Sequence, residues 1–293
     1  MSPLARIEIP ARSGHFSCLA GGPPMGQAPL IHFAHATGFN AETYAPLLAQ
    51  LCDRFTVRAV DLRGHGLSTV PAEAGRLRSW LRYVHDLVPI LQGFGQKAVL
   101  AGHSMGGAVS AELAALHPDL VAGLLLIDPA VVPRAAVPAM ALARATGLAG
   151  RMPLAERAAR RRAVWASREA MIEAWRGRGA FKTWTPGFLD AYVQGGTVEQ
   201  EDGTVRLACT PAWEARTFST ISLAFWRRIS RVTCPITALY AEHQSTLRAD
   251  GARALKVLHP DAVVEQVPGT SHFIPMEQPE KVAAAIDALV ARI

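Results

Sequence analysis

The segment VLAGHSMGGAVSAELAALHP, residues 99–118, carries the clearest chemical signal in the sequence. It predicts a strand at Ala98–Ala101 that runs through GHSMG, residues 102–106, directly into a helix, which is the context of a G-x-S-x-G nucleophile elbow. Such a turn strains the serine backbone, and a side chain at either glycine would collide with the neighbouring strand or helix. Ser104 would sit exposed at the N-terminus of a helix, whose dipole favours developing negative charge. We therefore predict that Ser104 is a nucleophile and that His103 points away from it and serves packing.

Three further segments occur in an order that, together with the elbow, resembles the α/β-hydrolase superfamily. FAHATGFNAETYAPLL resembles the H-G-x-P-G…W segment of that superfamily, with His35 and Tyr44 in register. AVDLRGHGLS matches its D-x-R-G-x-G-x-S stretch at Asp61–Ser68, and VPGTSHFIPMEQPEKV resembles its catalytic-histidine loop. The resemblance covers nearly the whole chain outside a central insertion, and four motifs in order are far more specific than one.

A serine hydroxyl needs a base within hydrogen-bond reach. His272 is the candidate, because it follows the predicted strand Val263–Val267 by a glycine-containing loop and lies C-terminal to Ser104, as the chain order of the superfamily requires. We predict His272 as the general base.

The third member of such a site orients the histidine and is normally a carboxylate. The resemblance puts Gln244 in the usual acid position, and a glutamine carries no charge. Asp128 ends the strand that follows the nucleophile's helix, where several branches of the superfamily carry their acid. We predict Asp128 as the acid, with Glu242 as the alternative; Asp250, which N-capping of a helix would also explain, and the absence of any acid stay open.

An oxyanion needs N–H donors aimed at it in advance. The resemblance implies the backbone amides of Met105 and Thr37, although Ala36 replaces the usual glycine beside Thr37. We predict an apolar or aromatic substrate pocket lined by His35, Phe39, Trp165, Trp184 and Phe273.

Eight short β-branched or apolar runs, most of them separated by helical stretches, are predicted to position these residues. The predicted strands are Arg6–Ile9, Phe16–Leu19, Leu30–Ala34, Phe55–Val60, Ala98–Ala101, Leu124–Ile127, Ile236–Tyr240 and Val263–Val267. The main predicted helices are Thr43–Leu51, Leu77–Leu91, Met105–Leu116 and Pro279–Arg292. This alternation predicts an α/β fold with a mostly parallel eight-stranded sheet flanked by helices, and the first two strands are predicted to form a hairpin at the sheet edge.

The alternation breaks at about residue 132 and resumes at about residue 231. This segment, 132–230, holds five of the six tryptophans and prolines that divide it into short helices. We predict that it is a helical cap inserted into an α/β-hydrolase core formed by residues 1–131 and 231–293.

Composition narrows the classes of function. The net charge of +6 reflects ten arginines between Arg134 and Arg178, and apolar residues at helical spacing among them favour a solvated helix face over a nucleic-acid or membrane surface. The four cysteines are far apart and show no metal-ligand spacing, as expected of unpaired thiols in a reducing compartment. No uninterrupted apolar run is close to the roughly 18 to 20 residues that a membrane-spanning helix needs. We expect a soluble cytoplasmic protein without a metal or other cofactor, whose partner is a small-molecule ester and whose oligomeric state is open.

A serine at the elbow indicates acyl transfer to water, since haloalkane dehalogenases and epoxide hydrolases need a carboxylate nucleophile. We predict a carboxylic-ester hydrolase that forms an acyl-serine on apolar or aromatic substrates. Lactonase, thioesterase, carbon–carbon bond hydrolase and cofactor-free haloperoxidase activities are alternatives on the same fold. A ligand-binding or receptor protein that has lost catalysis is the alternative from another class.

Overall fold

The computed structural model of the chain describes residues 3–293. Within them an eight-stranded sheet forms, in the order β1-β2-β4-β3-β5-β6-β10-β11. Its strands are β1 (Leu4–Pro10), β2 (His15–Gly21), β3 (Leu30–Ala34), β4 (Thr56–Val60), β5 (Ala98–His103), β6 (Val121–Ile127), β10 (Ile236–Ala241) and β11 (Val263–Val267). All eight predicted strands are present, so the predicted fold class is confirmed.

The first two strands form the predicted hairpin at the edge of the sheet. β1 pairs antiparallel with β2, and β2 pairs antiparallel with β4. From β4 onward the neighbouring strands run parallel. The carboxyl ends of β3, β5, β6 and β10 therefore meet at one edge of the sheet, which is where ligands bind in open α/β sheets.

The helices of the described residues follow the alternation with small shifts at their ends. They are α1 (Ala45–Leu48), α2 (Leu81–Gly93), α3 (Met105–Leu116), α4 (Val137–Ala145), α5 (Pro153–Ala159), α6 (Arg168–Trp175), α7 (Phe188–Gly196), α8 (Pro211–Ser219), α9 (Phe225–Ile229), α10 (Arg248–Leu258), α11 (Ile274–Glu277) and α12 (Pro279–Val290). The predicted helix Thr43–Leu51 is α-helical only at α1 and continues as 3₁₀ turns on both sides. Helix α2 begins four residues later than predicted, after the 3₁₀ turn Ala74–Arg76.

Both faces of the sheet are covered, which explains why its central strands are predominantly apolar rather than alternating. Every residue of β3 and β5 is buried. One buried cluster contains residues of α2, α3 and α10, and a second, on different side chains of the same strands, contains residues of α1 and α12.

Segment 132–230 contains the predicted short helices, but the prediction of a helical insertion omits a small sheet. Besides short helices, the segment contains a three-stranded antiparallel sheet in the order β7-β9-β8. Its strands are β7 (Val164–Trp165), β8 (Thr197–Glu199) and β9 (Val205–Leu207). Strands of two or three residues are too short for an alternating pattern to be visible in the sequence, so backbone pairing within the folded segment determines them.

Segment 132–230, called the cap segment below, is tied to the rest of the chain by buried hydrogen bonds. The indole of Trp80 donates to the carbonyl of Thr217 at 2.9 Å, and the hydroxyls of Tyr83 and Thr217 lie 3.0 Å apart. Buried cap residues such as Trp213 and Phe225 belong to the same hydrophobic cluster as α2 and α3. Among residues 3–293 there is no helix whose length and apolar character would suffice to cross a membrane.

Candidate active site

Ser104 lies at the turn between β5 and α3 with φ 55° and ψ −117°, outside the regions that L-residues usually occupy. The two glycines of the elbow have a steric reason. A Cβ on Gly106 would lie 2.1 Å from the carbonyl oxygen of Ala34, and a Cβ on Gly102 would lie 2.4 Å from the backbone of Gly106. The serine is 8% exposed at the N-terminus of α3. The strained turn therefore presents its hydroxyl at the carboxyl edge of the sheet.

His272 lies in the loop after β11 and bridges Ser104 and Asp128. Its Nε2 is 3.0 Å from Ser104 Oγ, and its Nδ1 is 2.5 Å from Asp128 Oδ2. Because a carboxylate can only accept, the Nδ1 atom carries the proton and Nε2 is free to accept from the serine hydroxyl. The structure thus brings three predicted residues into a Ser-His-Asp arrangement.

Asp128 follows β6 with φ 40° and is completely buried. The flanking backbone holds the nucleophile: the amide of Ser104 donates to the carbonyl of Ile127 at 3.0 Å, and the amide of Ala130 donates to the carbonyl of Ser104 at 2.9 Å. The strand end that carries the carboxylate is therefore bonded directly to the turn that carries the hydroxyl.

The loop after β10 supplies hydrogen-bond donors to this carboxylate. The hydroxyl of Ser245 donates to Asp128 Oδ1, and the amide of Thr246 donates to Oδ2 at 2.9 Å. Burial acts to raise the pKa of Asp128, but the hydrogen bond and charge of His272 and the bonds from this loop outweigh it and lower the pKa. Sequence reasoning missed Ser245 and Thr246. Their position directly after Gln244, in the loop where the acid was expected, is the signal that could have indicated them.

The other acid candidates lie elsewhere. Glu242 accepts from the amide of Gly269 at 2.7 Å and so fixes the start of the His272 loop. Asp250 is exposed in the first turn of α10, 3.5 Å from Arg248, and does not cap the helix with its side chain. Gln244 is also exposed, with φ 54°, and no hydrogen bond joins it to His272.

The two amides that the resemblance implies as oxyanion donors lie after neighbouring strands, β5 and β3. Met105 is the first residue of α3, and Thr37, 7% exposed, lies in the loop that follows β3. Among the hydrogen bonds of residues 3–293, neither amide donates to a protein acceptor. Ala36, at the usual glycine position, is accommodated in a turn in which the amide of Phe39 donates to its carbonyl at 3.1 Å.

The predicted pocket residues divide into two groups. Phe39 and Phe273 stack with ring centroids 6.1 Å apart, and Trp184 contacts both at 5.6–5.7 Å. The ring of Phe273 lies 5.5 Å from that of His272. These three aromatic rings therefore form an apolar wall beside the imidazole, and Tyr192 of α7 extends it at 5.1 Å from Phe39.

His35 does not belong to this wall, and its assignment to the pocket is wrong; Trp165 makes no ring contact with the wall, and its place in the pocket stays a prediction. His35 is fully buried; its Nε2 accepts from the amide of Leu62 at 2.9 Å, so it fixes the loops behind the site. Trp165 packs on Trp175 at 5.3 Å and under the guanidinium of Arg162 at 4.2 Å. Histidine fits a pocket by residue type, but the folded chain buries His35 and engages both of its ring nitrogens.

His103 is more than the packing residue that the sequence predicts. It is fully buried, its Nδ1 lies 2.8 Å from the hydroxyl of Tyr44, and its Nε2 lies 2.7 Å from the carbonyl of His272. The sequence-based prediction concerns only the direction of the side chain and its packing, and it does not include these two polar contacts.

The site is narrow. Of five cavities of about 230–400 Å³ described within residues 3–293, none is lined by Ser104, His272 or Asp128. The same residues contain no group of three or more His, Cys, Asp or Glu side chains arranged to hold a metal ion.

Comparison with known proteins gives consistent relatives. A family model described as the alpha/beta hydrolase family matches residues 33–285. A 2-(acetamidomethylene)succinate hydrolase of Mesorhizobium japonicum is 28% identical over 262 residues, which are 89% of this chain and 87% of that one. The crystal structure of an E-2-(acetamidomethylene)succinate hydrolase superimposes with a TM-score of 0.79 at 25% identity, covering 98% of this chain and 99% of the other. An esterase of Mycobacterium tuberculosis superimposes with a TM-score of 0.70 at 24% identity, covering 98% and 92%, which is a likeness of fold.

Proposed function

The chain belongs to the alpha/beta hydrolase family, and from that premise we propose that it is a serine hydrolase that cleaves carboxylic esters through an acyl-serine intermediate. One observation carries the proposal: a continuous hydrogen-bonded path runs from Ser104 Oγ through His272 to the buried carboxylate of Asp128. This path has the geometry that turns a weak nucleophile into an active one at neutral pH.

The proposed reaction has two halves. His272 takes the hydroxyl proton of Ser104 as the oxygen attacks the ester carbonyl, and Asp128 stabilises the imidazolium. The amides of Met105 and Thr37 bind the oxyanion, and collapse of the tetrahedral intermediate expels the alcohol, which takes the proton from His272. Water then attacks the acyl-serine with the same base, releasing the acid and restoring the hydroxyl.

The walls of the site favour apolar or aromatic groups on the substrate. Phe39, Trp184 and Phe273 lie within 5.6–6.1 Å of one another beside the base. An apolar or aryl group that binds against these rings buries apolar surface and makes offset or edge-to-face contacts with them. A carboxylate buried there would find no hydrogen-bond donor on the rings to offset its loss of water. Ester substrates with such groups are therefore proposed over highly charged ones.

A second candidate is hydrolysis of the amide of 2-(acetamidomethylene)succinate, because a hydrolase named for that compound matches nearly the full length of this chain. The same nucleophile and base chemistry attacks an amide carbonyl. The aromatic wall argues against a doubly charged substrate. So does the pairing of Arg161, a half-buried cation near Gly38, because its Nη1 already pairs with Glu214 at 2.6 Å.

Labelling with a fluorophosphonate tests the mechanism without knowledge of the natural substrate. We expect one covalent adduct, mapped to Ser104 by peptide mass spectrometry at mildly alkaline pH, and none on the Ser104→Ala variant. An unlabelled wild type would overturn the enzyme proposal and favour a binding or receptor protein.

A rate panel then tests the substrate class. It comprises short, long and aromatic acyl esters, thioesters, lactones and 2-(acetamidomethylene)succinate, with Ser104→Ala as the blank. We expect the highest kcat/KM on aromatic or apolar esters. A higher value on the amide, a thioester or a lactone would replace the proposed substrate class by that one and leave the acyl-serine mechanism intact.

A further inference from the structure

His103 sits in the middle of a buried hydrogen-bond network that joins three loops of the site. The amide of Ala36 donates to the hydroxyl of Tyr44 at 3.1 Å, and that hydroxyl lies 2.8 Å from His103 Nδ1. His103 Nε2 lies 2.7 Å from the carbonyl oxygen of His272. Tyr44 and His103 are both 0% exposed, and Ala36 is buried. No water is needed to complete the network.

The direction of every bond in this network is determined by chemistry. The carbonyl of His272 can only accept, so Nε2 of His103 carries a proton. Burial lowers the pKa of His103 to about 3, so the ring is neutral and its Nδ1 is an acceptor. The hydroxyl of Tyr44 must then donate to Nδ1, and its oxygen accepts from the amide of Ala36. Each polar atom has one partner of the right kind.

We propose that Tyr44 and His103 are positioning residues that hold the oxyanion loop and the His272 loop in register with Ser104. Ala36 is one peptide away from the proposed oxyanion donor Thr37, and the carbonyl that His103 binds belongs to the proposed base. The inference rests on the proposed function and deepens it, because it says how two groups in the loops after separate strands are fixed around one nucleophile.

The residue types suit this role. A tyrosine hydroxyl both donates and accepts a hydrogen bond at one atom, whereas phenylalanine can do neither. Tryptophan, which the superfamily motif has at this position, can only donate. Neutral histidine accepts at one nitrogen and donates at the other, about 2 Å apart on a rigid ring. Because His103 precedes Ser104 directly, the network is also anchored to the elbow itself.

The first test compares fluorophosphonate labelling rates of the wild type, Tyr44→Phe and Tyr83→Phe. Tyr83 is a matched control, since it is also 0% exposed and its hydroxyl bonds to Thr217 at 3.0 Å, outside the network. We expect Tyr44→Phe to label roughly 10- to 100-fold more slowly, less than the 100- to 1,000-fold loss typical of a deleted oxyanion donor. Tyr83→Phe should label at the wild-type rate. On an ester substrate, Tyr44→Phe should lower kcat with KM nearly unchanged.

A second pair of variants keeps the test decisive where Tyr44→Phe folds poorly. Glutamine at position 103 retains one acceptor and one donor, whereas leucine of similar size retains neither. We expect His103→Gln to be labelled about tenfold faster than His103→Leu. Thermal unfolding of both variants shows whether each is folded under the labelling conditions.

Three outcomes separate the two proposals. Equal labelling of wild type and Tyr44→Phe, or of His103→Gln and His103→Leu, overturns the positioning role and leaves the proposed function standing. Absence of labelling in the wild type overturns the proposed function, and the positioning role with it. Selective loss in Tyr44→Phe and His103→Leu supports both.

Discussion

At the residue scale, Asp128 and Gln244 lie in the loops that follow two neighbouring strands, Asp128 directly after β6 and Gln244 three residues after β10. Each follows the end of its strand with a positive φ, 40° and 54°, and β6 pairs in parallel with β10. Only Asp128 turns its side chain toward His272, while the two residues after Gln244 donate hydrogen bonds to that carboxylate. The loop after β10 therefore supports an acid that the neighbouring strand supplies.

Exchange of the acid for its amide tests this assignment. We expect Asp128→Asn to lower kcat by roughly two to four orders of magnitude, because the amide neither stabilises the imidazolium nor fixes the tautomer of His272. Gln244→Ala, which removes an exposed side chain, should change kcat less than about twofold. Steady-state rates on the preferred ester measure both. Similar rates for Asp128→Asn and wild type would move the acid to another residue.

The same carboxylate should make the stability of the fold depend on pH. Its pKa is lowered in the folded state, so its ionised form favours folding above the ordinary carboxyl pKa of about 3.9, and this contribution is lost as the pH falls toward the folded value. We expect the free energy of unfolding of wild type to fall more than that of Asp128→Asn between about pH 6 and pH 3, as measured by urea titration. Gln244→Ala should keep the wild-type slope, and parallel curves for wild type and Asp128→Asn would contradict the lowered pKa.

At the element scale, the sequence was sufficient for the main sheet because long buried strands leave a strong signal. Strands such as β3 and β5 are buried throughout and apolar apart from one histidine each, and helices between them enforce parallel pairing. The small cap sheet left no such signal, since its strands have only two or three residues.

Prediction of the site from sequence was limited by side-chain direction. The elbow could be predicted because its glycines are demanded by local sterics. The roles of His103 and His35 could not, because both point into the protein and find their partners on other loops through tertiary packing.

The contact between α3 and β3 at the elbow gives a prediction about packing. A Cβ at Gly106 would lie 2.1 Å from a backbone oxygen that cannot rotate away, so Gly106→Ala must displace α3. We expect a loss of about 1–3 kcal/mol or more in the free energy of unfolding. Gly93→Ala, at the end of α2 with no atom within 4 Å of its Cβ, is the control and should change it by about 0–1 kcal/mol in the stabilising direction. Equal effects of the two substitutions in urea unfolding would show that the close contact is absent.

At the scale of the whole molecule, the cap segment and the sheet share their buried surface. The segment has a cluster of its own, with buried members such as Met171 and Val193. Its larger residues Trp213, Phe225 and Trp226 belong instead to the cluster that covers one face of the main sheet. Unfolding the cap segment alone would expose these side chains together with their partners on α2 and α3, at a cost of roughly 1.5–3 kcal/mol for each large side chain.

This shared core leads us to expect a single unfolding transition. Five of the six tryptophans lie in the cap segment, so intrinsic fluorescence reports mainly on it, while far-ultraviolet circular dichroism reports on all helices and strands. The two signals should give coincident urea midpoints, as cooperative unfolding requires. Trp226→Phe, which deletes the indole bond to Val132 and part of the shared surface, should lower both midpoints together. A fluorescence midpoint at a clearly lower urea concentration than the circular dichroism midpoint would mean that the cap segment unfolds on its own. The aromatic wall beside His272 would then be lost at a lower urea concentration than the triad.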